Sequence, residues 1–173
     1  MSVSLFDVSV TNYLQILNAT EGVLAKGKSY CEENNIELEE IVDMRLIGDM
    51  NPFRFQVISV AHHSMGALKG LAAGEFSPPS GYGELDYAGL QDLVSQAKST
   101  VESYDRETVE SFAGKTIIFK LGGNELPFTA ENFVSSFSLP NFFFHATTTY
   151  DLLRIKGVPL GKRDFLGALR LGV

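Results

Sequence analysis

Four long stretches of the sequence repeat apolar residues at steps of three and four, which is the spacing of one face of an α-helix. Such helices are stable when their apolar faces pack against each other, as they do in a bundle. The 173 residues suit one domain, spanning residues 1–173. We predict helices over Ser4 to about Glu33, Asn51 to about Ala73, Glu84 to about Tyr104, and Thr129 to about Lys156.

One segment changes from the period of a helix to that of a strand. Between Lys115 and Phe128 apolar residues alternate along the chain, and Gly122-Gly123-Asn124 supplies residues that tolerate the positive φ of a tight hairpin turn. Pro127 has no amide hydrogen for a sheet and therefore predicts an edge strand. The sequence thus predicts an all-α fold, an antiparallel four-helix bundle with a small β-hairpin before its last helix.

The connecting segments give more specific expectations. Ile36 to Asn51 is compatible with a short helix or with an irregular crossover. Gly74 to Gly83 contains two prolines and three glycines, which end a helix, so it predicts a loop. Pro140 lies inside the fourth helix and should free the carbonyl of Ser136, which would kink that helix. The basic and apolar tail from Gly157 to Val173 is expected to pack back onto the bundle.

Composition argues against several classes of partner. The formal net charge of −7 disfavours nucleic acid and anionic membrane surfaces, because both are bound by clustered Lys and Arg. No apolar run is long enough to span a bilayer, and Met1 to Val10 lacks the basic start of a signal peptide. The single cysteine, Cys31, cannot form an intramolecular disulfide and suits a reducing compartment. We therefore expect a cytoplasmic protein.

The residues that favour a site are the histidines, and His145 is the most informative of them. It lies on the predicted fourth helix, where residues four apart share a face, so Asn141, His145 and Thr149 form a polar stripe. The rest of that helix is rich in Phe and Leu. A polar stripe in such a helix indicates either a buried hydrogen-bond network or a ligand site, and a structural histidine is compatible with the first.

The predicted second helix carries the possible partners of His145. His62 and His63 are adjacent, so their side chains diverge by about 100° around the helix axis, and at most one of them faces the interior. The pattern leaves open which one. Asp49 precedes the same helix, as a turn residue or as a carboxylate at the mouth of the bundle. We expect His145 to face a pocket between the second and fourth helices, near His62 or His63 and close to Asp49.

Four segments of the sequence are long enough to be specific, and together they extend over almost the whole chain. They are SLFDVSV (Ser4–Val10), RLIGDMNPFRFQV (Arg45–Val57), KLGGNELPFT (Lys120–Thr129) and LPNFFFHATTTYDLLRIKGVPLGKRDFLG (Leu139–Gly167). In this order they resemble a bacterial and fungal family of unknown function that belongs to the DinB/YfiT-like four-helix-bundle superfamily. The resemblance implies the fold of that superfamily.

The resemblance also implies a metal site, because much of the superfamily is metal-dependent and uses histidines of the second and fourth helices. His145 matches a ligand position of the fourth helix, and His63, or else His62, matches that of the second. Asn141 and Thr149 stand four residues from His145, where the family pattern has a second histidine, and are poor metal ligands. The implied site is therefore open and weak, for Zn or Ni, with Asp49 completing or orienting it.

Two classes of function follow from these expectations. The first is a metal-assisted enzyme of transferase or isomerase type that acts on a small molecule. The second is a metal-free bundle that binds a small molecule or serves as a dimeric structural or interaction protein. Bundles of the superfamily often pair through helix faces, so we expect a homodimer in either case.

Overall fold

The computed structural model describes residues 3–172, and this part of the chain is mostly helical with one small three-stranded sheet. The helices are α1 (Leu5–Val8), α2 (Val10–Glu33), α3 (Leu38–Val42), α4 (Phe53–Ala61), α5 (Ala67–Ala73), α6 (Tyr87–Glu102), α7 (Arg106–Glu110), α8 (Ala130–Asn132), α9 (Leu139–Ile155) and α10 (Lys162–Leu166). The strands are β1 (Glu75–Phe76), β2 (Thr116–Leu121) and β3 (Asn124–Thr129). Two π-helical segments, π1 (His62–Gly66) and π2 (Phe133–Ser138), join α4 to α5 and α8 to α9.

Four long helical runs surround one apolar core. They are α2, the run α4-π1-α5, α6, and the run α8-π2-α9. The first and second runs lie between the other two, since α2 and α4 each pack against both α6 and α9. Fully buried aromatic rings fill the centre, among them Tyr13, Phe53, Phe133 and Phe142. Burying one such ring contributes about 1.5–3 kcal/mol to the free energy that favours the packed state. Within residues 3–172, none of the helices combines the length and hydrophobicity needed to cross a bilayer.

The first predicted helix is interrupted near its start. Ser4 caps α1 through a capping box with Asp7, in which each side chain accepts from the other residue's backbone amide. At Ser9 the backbone leaves the helical region, with φ −96° and ψ −82°, and its hydroxyl donates to the carbonyl of Leu5. The helix then continues as α2 and ends before Asn35, whose φ of 53° stops it. Prediction of one continuous helix from Ser4 was therefore wrong at one turn.

The second and third helices begin later than predicted. Pro52, not Asn51, is the N-cap of α4, because its extended backbone precedes the first helical residue. Asp86 caps α6 by accepting a hydrogen bond from the amide of Gly89, so that helix begins at Tyr87 rather than at Glu84. The segment after α3 is an irregular crossover, one of the two expected alternatives.

The hairpin is confirmed, and the sheet is larger than predicted. β2 and β3 pair antiparallel, with Ile118 opposite Pro127, and β3 lies at the edge as the proline requires. The segment from Gly74 to Gly83, predicted as a loop and called the linker from here on, contributes β1. This strand pairs in parallel with β2 through Glu75 and Phe76. A strand of two residues has no period to recognise, so no pattern in the sequence indicated it.

The fourth run begins at a Thr129 cap and is irregular before Pro140 rather than at it. The π2 segment ends at Ser138, and Pro140 lies in the first turn of α9, where a missing amide hydrogen costs little. Beyond α9 the tail packs back as expected as far as α10, whereas Leu169 and Leu171 are exposed and Val173 lies outside the described residues. α10 lies against α2, where Gln15 donates to the carbonyl of Leu166.

Candidate functional site

The structure brings two of the three histidines together between the second and fourth helical runs. His63 lies on π1 with 6% of its surface exposed, and His145 lies half-buried on α9. The centroids of the two rings are 6.0 Å apart, and their planes are within 15° of parallel. The open question of which neighbouring histidine faces the interior is thereby settled in favour of His63.

Gln56 fixes the tautomer of His145. The side-chain amide nitrogen of Gln56 donates to the carbonyl of Asn51 at 2.8 Å, so the amide oxygen faces His145. That oxygen accepts a hydrogen bond from Nδ1 of His145 at 2.7 Å. His145 therefore carries its proton on Nδ1, an assignment that rests on the hydrogen-bond network. The lone pair of Nε2 is left free, as in a metal ligand or a general base.

His63 lies in an apolar environment and has an unused ring nitrogen. Its Nδ1 is buried without a hydrogen-bond partner among residues 3–172. Phe76 and Phe137 pack around the ring, each with a centroid 5.6 Å away. Buried polar atoms nearly always have partners, so an orphan of this kind needs an explanation such as an ion or a ligand.

Burial keeps both rings neutral at physiological pH. Removal from water, reinforced by the neighbouring His62 and His145, lowers the pKa of His63 from 6.5 to about 3. Burial alone lowers the pKa of His145 to about 4. Only the neutral form of imidazole binds a metal, so neither histidine needs to lose a proton on binding at pH 7.

His62 has a different role, because both its ring nitrogens are engaged with the linker. Nε2 lies 2.7 Å from the carbonyl of Ser77, and Nδ1 lies 3.2 Å from the hydroxyl of Tyr82. The ring also lines a surface pocket of about 350 Å³ under the same linker. His62 therefore fastens the linker to π1.

The remaining predicted site residues are not gathered around the two rings. Asp49 lies in an exposed turn between α3 and α4. Asn141 donates to the carbonyl of Phe137, and the hydroxyl of Thr149 donates to the carbonyl of His145. These last two side chains are thus engaged with their own helix.

The donor set suits an open metal site better than a closed one. With metal–nitrogen bonds of about 2.1 Å, two rings that share a tetrahedral ion have centroids about 5 Å apart, so the observed 6.0 Å would have to shorten by about 1 Å on binding. No group of three His, Cys, Asp or Glu side chains within the described residues is arranged to hold a metal ion. Two imidazoles would therefore be the protein ligands, with the other positions open.

The site contains three further residues that the sequence did not indicate. Besides Gln56, Ser138 donates from its hydroxyl to the carbonyl of His63, and the hydroxyl of Tyr13 lies 2.7 Å from Ser138 Oγ. All three side chains are buried. The only available signal was a polar residue among apolar ones, as Gln56 is in FRFQVISVA, and that signal does not reveal the partner.

Comparisons with known proteins agree on the family and the fold. The family described as "Domain of unknown function (DUF1993)" matches residues 5–166. A solved DinB family member protein from Shewanella denitrificans has a TM-score of 0.82 and 23% identity, covering 98% of this chain and 95% of that one. At this identity the likeness establishes the fold alone. A search of curated proteins found no match.

Proposed function

Because the chain belongs to the DinB-like domain-of-unknown-function family DUF1993, we propose that it is a metal-assisted enzyme acting on a small molecule. His63 and His145 are the protein ligands of one divalent ion, Zn or Ni, and the reaction is of transferase or isomerase type. The observation that carries this proposal is that two features lie side by side. Gln56 fixes the tautomer of His145 that leaves Nε2 free to bind, and the buried Nδ1 of His63 has no hydrogen-bond partner among residues 3–172.

The surroundings of the two rings support a ligand role. Metal-binding histidines usually donate their second nitrogen to an oxygen acceptor, which is the part Gln56 plays for His145. A divalent ion with open coordination positions polarises a bound oxygen atom and lowers the pKa of bound water. The chain itself contributes two neutral rings at fixed positions and an apolar wall that includes Phe76 and Phe137.

Metal titration of the purified protein tests the proposal. Protein freed of metal with a chelator is titrated with Zn and with Ni by calorimetry, and metal content after growth in supplemented medium is measured independently. We expect one ion per chain with micromolar affinity, because only two protein ligands are available. A protein that carries no metal and binds none at tens of micromolar would leave His145 a structural residue and would remove the main support for an enzyme.

The second candidate is a metal-free bundle that binds a small molecule or acts as a structural or interaction protein. It is favoured by the absence of a third ligand among residues 3–172 and by the engagement of Asn141 and Thr149 with their own helix. The same titration separates the two candidates. We further infer a cytoplasmic protein, in keeping with a single, buried Cys31.

We also infer that the four helical runs form an antiparallel four-helix bundle. Support comes from the contacts between the second and fourth runs, where Gln56 meets His145 and the later His63 meets the earlier Ser138. The residue numbers of the contacting positions increase along one run and decrease along the other, which is the arrangement of antiparallel helices. Each run also packs against two others, as the helices of a bundle do.

A homodimer is expected to form through the outer face of α9. Phe143 and Phe144 leave 37% and 55% of their surface exposed there, and adjacent exposed aromatic rings are typical of interaction surfaces. Light scattering at micromolar concentration should give about twice the 19.0 kDa of one chain. Phe144→Glu should give monomers, because a charge would have to be buried at the interface.

Leu126→Glu is the matched control, since Leu126 is 45% exposed but lies on the edge strand. It should leave the mass of the dimer unchanged. A wild-type protein that scatters as a single chain would refute the dimer.

A further inference from the structure

Two polar contacts join the second and fourth helical runs at matching positions. Gln56 meets His145 at 2.7 Å, and the carbonyl of His63 meets Ser138 at 2.7 Å. On each run the two contacting residues are seven positions apart, which is about two helical turns. The contacts therefore lie one above the other, and each contains one of the histidines.

The contact at His63 continues to α2 as a chain of hydrogen bonds. Ser138 has a single hydroxyl hydrogen and donates it to the carbonyl of His63. The hydroxyl of Tyr13 must therefore donate to Ser138 Oγ, 2.7 Å away. Both side chains are fully buried, and burial raises the pKa of Tyr13, so its hydroxyl keeps its hydrogen at physiological pH. The order of donation is thus fixed from Tyr13 to Ser138 to His63.

This chain of hydrogen bonds ends in the π-helical segments, which are the most irregular part of each histidine-bearing run. His63 lies in π1, and Ser138 is the last residue of π2. π-helical turns are uncommon, occur mostly as single turns inside α-helices and are frequent at functional sites. A bond between the two segments fixes the peptide of His63 relative to α9, which carries the other ring.

We infer that Ser138 is a positioning residue for His63 and that Tyr13 acts through Ser138. The hydroxyl of Ser138 holds the His63 peptide, and through it places the ring beside His145, with their centroids 6.0 Å apart. This inference rests on the proposed function in so far as the positioned ring is the proposed ligand. The positioning itself is a property of the metal-free protein and can be measured there.

The test compares Ser138→Ala with Ser64→Ala. Ser64 is also a fully buried serine on π1, next to His63, but its hydroxyl donates to the carbonyls of Val60 and Ala61 within its own run. Nitrogen-15 NMR of the imidazole rings in metal-free protein reports the environment of each histidine. We expect Ser138→Ala to shift the His63 ring signals and leave those of His62 in place, and Ser64→Ala to shift neither.

Zinc affinity provides the second measurement. Ser138→Ala should raise the Kd for zinc about 10- to 100-fold, which is the usual effect of losing a residue that orients a ligand. Tyr13→Phe keeps the ring that packs edge-on against Phe142 and should have a smaller effect in the same direction. The double variant should bind as weakly as Ser138→Ala alone, because Tyr13 acts only through Ser138.

The outcomes separate the two proposals. If Ser138→Ala leaves the His63 signals unchanged, or if Ser64→Ala shifts them equally, the positioning role is overturned. If the wild type binds no zinc and Ser138→Ala still shifts the His63 signals, the metal proposal fails and the positioning role stands. If Ser138→Ala does not fold, Tyr13→Phe decides by the same signals.

Discussion

Replacing His145 by alanine is expected to abolish saturable zinc binding at tens of micromolar. Under the proposed function His63 and His145 are the two protein ligands, and the described residues place no third candidate beside them, so this change leaves one. A single neutral imidazole is a monodentate ligand, and stable protein zinc sites have at least three protein ligands, so one ring alone should hold zinc only weakly. Calorimetric titration of His145→Ala and of the wild type at the same pH measures the difference.

His62→Ala is the matched control for that experiment. It also removes a ring next to His63, but one whose nitrogens face Ser77 and Tyr82 of the linker. Zinc affinity should stay within about threefold of the wild type, while the linker becomes easier to cleave by proteases. Equal loss of binding in the two variants would contradict the assignment of the ligands.

The free energy of unfolding is expected to fall steeply as the pH drops from 6.5 towards 4. In the unfolded chain both histidines take up protons near pH 6.5, whereas burial in the folded protein lowers the pKa of His63 to about 3 and that of His145 to about 4. Below pH 6.5 the unfolded state therefore binds more protons and is favoured. Each ring contributes at most about 1.4 kcal/mol per pH unit in this range, and above pH 6.5 neither contributes.

Urea unfolding at pH 7.5, 6.5, 5.5 and 4.5 measures this dependence. The loss should set in below pH 6.5 and be smaller in His145→Asn, which keeps a polar group without an ionisable ring. His63 and His62, whose pKa values burial also lowers, still contribute in that variant. An equal slope in the variant would mean that His145 is already accessible to protons in the folded state. Carboxylates contribute mainly below about pH 5, since their ordinary pKa values are near 4.

Helical and strand periodicity were sufficient to predict most of the secondary structure. The four helical stretches and the hairpin are local patterns, and Pro127 identified the edge strand from its own chemistry. The break at Ser9 was not predictable, because a serine is tolerated in a helix and only its backbone angles show the interruption. The two-residue strand β1 depends on a partner more than 40 residues away, which no local pattern encodes.

The site was predictable in part. The polar character of the fourth helix pointed to His145, and the resemblance to a known family pointed to the second helix. Counting residues on a regular helix left the choice between His62 and His63 open. These residues occupy π1, where the turn is wider than the one that such counting assumes. Gln56, Ser138 and Tyr13 could not be assigned, because each becomes part of the site only through a residue distant in sequence.

The two π-helical segments make these runs more sensitive to changes in length than to changes in side chain. A π turn bonds each residue to the fifth along the chain instead of the fourth, so it holds one extra residue. Deleting one residue within π1 would restore α-helical spacing and turn α5 by about 100° relative to α4. Gly70, whose missing side chain makes room for Phe76, would then point away from Phe76. The linker would lose its packing contact with α5.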